Sequence, residues 1–147
     1  MSDIYPYFIK FHVVFSIVFL LIAVIISVTS LVSSIKGKEY SGFDNALRQV
    51  FLTFLYIDLV LGIILYFFLR KPDEIMTAKE AVKYSSLRFW AVQHFSNMIF
   101  VVIFSQIGSM FIKKTSDSAK RFKYSFIYFG ISTLIILVSV GLFALRK

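Results

Sequence analysis

The chain of 147 residues contains no cysteine. Disulfides, thiolate nucleophiles, cysteine-ligated zinc, iron–sulfur clusters and covalent haem attachment are therefore excluded. Charge is sparse as well, at 16% of residues, and there is one tryptophan and only two prolines. A soluble domain carries about a quarter charged residues. No phosphate-binding glycine loop, nucleophile elbow or H-E-x-x-H motif occurs, so a soluble catalytic site outside the membrane is not expected. What is abundant is apolar: 59% of residues, 18 of them Phe, with a mean hydropathy of +0.82. This composition describes a small integral membrane protein.

The apolar residues fall into four blocks, at about 11–35, 50–69, 89–112 and 124–145. Each is long enough to cross a hydrocarbon layer of about 30 Å, which takes roughly 20 helical residues. Each is flanked by bases: Lys10 and Lys36, Arg48 and Arg70, Arg88 and Lys113, Lys123 and Arg146. Runs of this length suit helices, because a spanning strand needs only about ten residues. The links are short, which predicts one all-α domain over residues 1–147, an antiparallel up-down-up-down four-helix transmembrane bundle. The first block follows an acidic start and precedes no small-residue cleavage site, so it reads as a span rather than a cleaved signal. In the longest link, at 71–88, Pro72 and Asp73 could start a short helix carrying Ile75, Met76, Val82 and Leu87 along the lipid surface.

Net charge is +8, from 16 bases and 8 acids. Both sides of the bundle receive eight bases. Density breaks the tie: Lys113, Lys114, Lys120, Arg121 and Lys123 crowd one short loop. That places the loop in the cytoplasm and both termini on the periplasmic side of a bacterial inner (cytoplasmic) membrane. Anionic headgroups account for the positive charge, and no nucleic-acid partner is required.

Polar groups inside a span are costly and therefore informative. The only histidines are His12 and His94. Counted inward from Tyr5 and Tyr7 and from Trp90, they lie at matching depth, roughly 6–10 Å below the aromatic belt at about 1.5 Å per residue. Two such imidazoles in one leaflet could hold a non-covalent haem between facing helices, with Lys10 and Arg88 near its propionates. Ser16, Ala91, Ala23, Ser105 and Gly108 would leave room for the ring, and Met98 is a packing thioether or an axial ligand. Each histidine could equally serve only as a hydrogen-bonding partner in helix packing. Asp58 is either a proton relay or ion site, or a neutral acid packed against Tyr56, Thr53, Asn97 or Gln106. No second intramembrane charge is apparent, which favours the packing role.

The segment Arg88-Phe89-Trp90-Ala91-Val92-Gln93-His94, the run Gly62-Ile63-Ile64-Leu65-Tyr66-Phe67 and Ile107-Gly108 followed by Lys113-Lys114 resemble a family of small bacterial four-span cytochrome-b-like membrane proteins. Gln93, Tyr56 and Asp58 depart from its usual residues and mark a divergent member. The resemblance implies His12 and His94 as axial ligands of a haem b iron and Arg88 as a propionate partner. The expected function is then electron transport through one bis-His haem, as a partner or subunit of a respiratory complex with a quinone-linked redox partner. The alternative is a cofactor-free accessory subunit of a larger membrane complex, with a small haem-dependent membrane enzyme ranked last.

Overall fold

The computed structural model describes residues 4–65 and 93–145. Arg88, Ala91 and the link at 71–88 lie outside the described residues. Within them the chain forms α1 (Tyr5–Lys36), α2 (Gly42–Ile64), α3 (Phe95–Lys114) and α4 (Ser118–Leu145). All four are long and apolar enough to cross a membrane, with a window in α1 reaching a mean hydropathy of 2.9. The protein is thus a multi-pass membrane protein with a lipid bilayer around it.

Local chemistry sets the helix ends. Pro6 sits in the first turn of α1, where its missing N–H costs nothing. Gly37 ends α1 in the left-handed conformation at φ +66°. Its N–H bonds to the Ser34 carbonyl, and the Lys38 N–H reaches the Ser33 carbonyl at 3.1 Å. That pair of bonds satisfies carbonyls the helix end would otherwise leave open. Ser41 and Asp44 form a reciprocal capping box that starts α2 eight residues before the apolar block. Asp117 accepts from the Ala119 N–H at 3.1 Å and opens α4.

Neighbours in sequence pack antiparallel, and α1 closes against α4, so the helices form a ring α1–α2–α3–α4. Phe19, Phe51 and Phe129 pack with tilted rings across its centre, with centroid separations of 5.2 and 4.6 Å. Leu55, Val101, Ala23 and Ile26 fill the space around them. Hydroxyls bridge the helices: Ser30 with Ser125 at 2.8 Å and Ser105 with Ser132 at 3.0 Å. Ser27, Thr29 and Thr133 bond to carbonyls of their own helices, which keeps hydroxyls satisfied where no water is at hand. At Gly108 the helices α3 and α4 approach so closely that an added Cβ would collide with Cβ and Cγ of Tyr128. Outside the ring, α1 presents Val14, Ile17, Leu21 and Val28 to the lipid.

Candidate functional site

A cavity of about 210 Å³ opens between the start of α1, the end of α2 and the start of α3. His12, Ser16, Asp58, His94 and Met98 line it, among apolar residues that include Phe19, Ile136 and Val140. Packing depth explains why they meet. In an antiparallel ring, the first turns of α1 and α3 share a leaflet with the last turns of α2 and α4. The matched depth of the two histidines therefore becomes a shared cavity.

Asp58 is the centre of the cluster and only 7% exposed. The Ser16 hydroxyl, one turn after His12, donates to the carboxylate, with 2.8 Å to Oδ1 and 3.0 Å to Oδ2. His12 Nδ1 stands 3.1 Å from Oδ1. That nitrogen is shielded from solvent, yet its N–H direction misses the acceptor, so the contact is an electrostatic pairing rather than an aligned hydrogen bond. Gly62 faces the His12 ring, leaving Cε1 of the imidazole in ordinary contact range of any Cβ placed there. His94 lines the same cavity from the start of α3.

The other polar residues near this leaflet are otherwise engaged. Asn97 donates to Ser139 at 2.9 Å, and Tyr56 donates to Gln106 at 2.6 Å. The partners expected for Asp58 are thus replaced by Ser16 and His12. Met98 is buried in the core as well as touching the cavity. Lys10 is exposed at the start of α1, clear of the cluster. Arg88 lies outside the described residues. Among the described residues no three His, Asp or Glu side chains converge as a metal ion would require.

A larger apolar groove of about 450 Å³ lies between α1 and α4, lined by Val24, Val28, Phe126, Gly130 and Leu134. Its polar groups, Ser27 and Thr133, bond to their own backbones, so nothing there would orient a ligand.

The residue that sequence reasoning missed is Arg48. Read as a flanking base, it lies inside α2 and is 3% exposed. Its guanidinium donates to Ser109 Oγ at 2.5 Å and to Asn45 Oδ1 at 2.7 Å. The signal that could have found it is Ser41-x-x-Asp44, which moves the helix start back and draws Arg48 inward. A second charge therefore does exist within the spans, contrary to expectation.

Comparison with known families identifies the chain. The MatE family model matches residues 7–142. The chain belongs to that family, the multidrug and toxic compound extrusion transporters. No curated protein and no solved structure matches it. The resemblance to cytochrome-b-like proteins is thereby corrected: a match over nearly the whole chain outweighs short, apolar-rich motifs that many spanning helices share. The electron-transport function is corrected with it.

Proposed function

We propose that this member of the MatE family works in membrane efflux, with the Asp58 cavity as the place where charge is taken up and released during transport. The observation that carries this reading is Asp58 itself: a nearly buried carboxylate that borders open space facing two imidazoles. A carboxylate held only for packing would be sealed. One that lines a cavity can exchange its partner, a proton or a cationic solute, without unfolding the bundle. An imidazole can take up or give up a proton, so His12 and His94 are placed to exchange one with Asp58. A quinone-linked redox partner has no place in this reading.

The density of bases between Lys113 and Lys123 supports a cytoplasmic α3–α4 loop in a bacterial inner membrane. The Asp58 cavity then lies in the outer leaflet, on the side where an exported solute leaves. The outward apolar face of α1 suits lipid and neighbouring membrane subunits alike.

The test is transport by purified protein in proteoliposomes loaded with a cationic fluorescent dye. Dye should leave under an imposed proton gradient, and Asp58→Asn should reduce efflux to that of protein-free vesicles while the protein keeps its helicity. Efflux that Asp58→Asn leaves intact would remove the cavity from the mechanism. Absence of any gradient-driven flux by the unmodified protein would remove the transport reading itself.

A further inference from the structure

At the opposite end of the bundle a full positive charge is enclosed by neutral groups. Among the described residues Arg48 bonds to Ser109 and Asn45 and adjoins the Tyr40 hydroxyl, while its buried Nε has no partner. Among the described residues the one ion pair is His12 with Asp58, so no described carboxylate lies within ion-pair distance of the guanidinium. Asp44, on the same side of α2, turns its carboxylate to the Ser41 N–H at 2.9 Å and to the Ser41 hydroxyl at 2.8 Å. An unpaired ion in such surroundings is among the most costly arrangements a protein contains. Among the described residues no carboxylate closes on it.

The surroundings indicate its kind. The bond from Arg48 to Asn45 runs one turn back towards the start of α2, so the guanidinium leans towards the membrane surface. Tyr40 lies there, its N–H bonded to Ser118 Oγ at 2.8 Å and its ring 5.2 Å from Phe122. Arg121 lies over the same ring, with Cζ 5.2 Å from the centroid. The Tyr40 phenol feels both guanidiniums; burial nonetheless raises it above its ordinary value of 10.0, so it stays a neutral hydrogen-bonding group. Beyond it, residues 113 to 123 carry five bases and a single acid, Asp117.

We propose that Arg48, Arg121 and Tyr40 form a binding site for a phosphate-class oxyanion at the α3–α4 loop end of the bundle. Guanidinium forks match phosphate oxygens in geometry as well as charge, and basic pockets between spans at this depth suit lipid headgroups. The phosphate comes either from an anionic phospholipid or from a free anion. The site is independent of the Asp58 cavity and of whether the protein transports anything.

The experiment is thermal unfolding of the purified full chain in neutral detergent, with phosphatidylglycerol, phosphatidylcholine or inorganic phosphate added at constant ionic strength. A ligand that binds only the folded state raises Tm in a saturable way. Phosphatidylglycerol should raise it and phosphatidylcholine should not. An equal rise with inorganic phosphate assigns the site to a free anion, and no rise with it assigns the site to the lipid. Arg48→Met should lose the response, and Arg121→Met, at a half-buried position, should weaken it. No rise with either phosphate source, an equal rise with phosphatidylcholine, or a full response in Arg48→Met would overturn the proposal. Should Arg48→Met fail to fold, an unweakened response in Arg121→Met does so instead.

Discussion

Helix α2 buries one charge near each end, and the bundle treats the two in opposite ways. Asp58 has an imidazole 3.1 Å away, a serine donor and a cavity in front of it. Arg48 has only neutral hydrogen-bonding partners among the described residues and no carboxylate within ion-pair distance. The acid is partnered by an imidazole, which can change charge, and has space into which a ligand can come. The base is clamped by groups that cannot. Burial alone does not distinguish them, since both are less than a tenth exposed. Room and the chemistry of the partners separate a group placed for exchange from one placed for holding.

The largest expected effect follows from the Asp58 side. Asp58→Asn keeps the shape and still accepts from Ser16, so thermal stability should stay close to that of the parent while transport is lost. If stability fell as far as it does for a core truncation, about 2–5 kcal/mol, Asp58 would be a structural group after all and the contrast with Arg48 would collapse.

Gly108 tests whether the two ends depend on one frame. It lies between the Ser105–Ser132 bridge and Ser109, which holds Arg48. Gly108→Val drives a branched side chain into Cβ and Cγ of Tyr128, atoms close to the backbone that cannot swing away. Overpacking of this kind costs about 1–3 kcal/mol, and here the α3–α4 contact must open. A clear drop in Tm together with loss of both transport and the phosphate response is expected. An unchanged Tm would show that α3 and α4 meet differently.

Ser41→Ala acts on the Arg48 end alone. It removes the capping hydroxyl of α2, worth about 1 kcal/mol, and with it one of the two bonds on the Asp44 carboxylate, leaving that of the Ser41 N–H. The loosened carboxylate becomes a competitor for the Arg48 charge, so the phosphate response should weaken while dye efflux stays near the parental rate. A parallel loss of efflux would mean the ends are coupled through α2.

How far these arrangements could be read beforehand differs between fold and site. Four apolar blocks of spanning length leave little choice but four helices, and their order in an antiparallel ring follows from the short links. The start of α2 was misplaced because Asp44, Asn45 and Arg48 depress local hydropathy, although Ser41 and Asp44 spell out the cap. The common depth of His12 and His94 was legible because it follows from counting residues along parallel helices. The pairing of Asp58 with Ser16 was not. Which faces meet depends on the rotation of each helix about its axis, and spans that are apolar almost all round carry little record of it. The motif-based family resemblance misled for a related reason: Phe, Leu, Ile and Gly recur in many spans at similar spacing.

The smallest expected change sits beside the Asp58 cavity, at Gly62. An alanine there would place its Cβ 3.7 Å from Cε1 of His12 and 4.0 Å from Nε2, which is ordinary contact. Gly→Ala at a helical position that accepts it stabilises by about 0.4–1 kcal/mol, mainly by restricting the unfolded chain. Tm should therefore hold or rise slightly. The methyl group would also occupy space next to the imidazole and limit its rotation, so efflux should slow modestly in the same variant. Opposite signs in stability and transport are what an exchange site predicts, because the space removed is used only when the ring moves. A Gly62→Ala protein that is both more stable and equally fast would mean that His12 holds still during transport, leaving the exchange to Asp58 and His94.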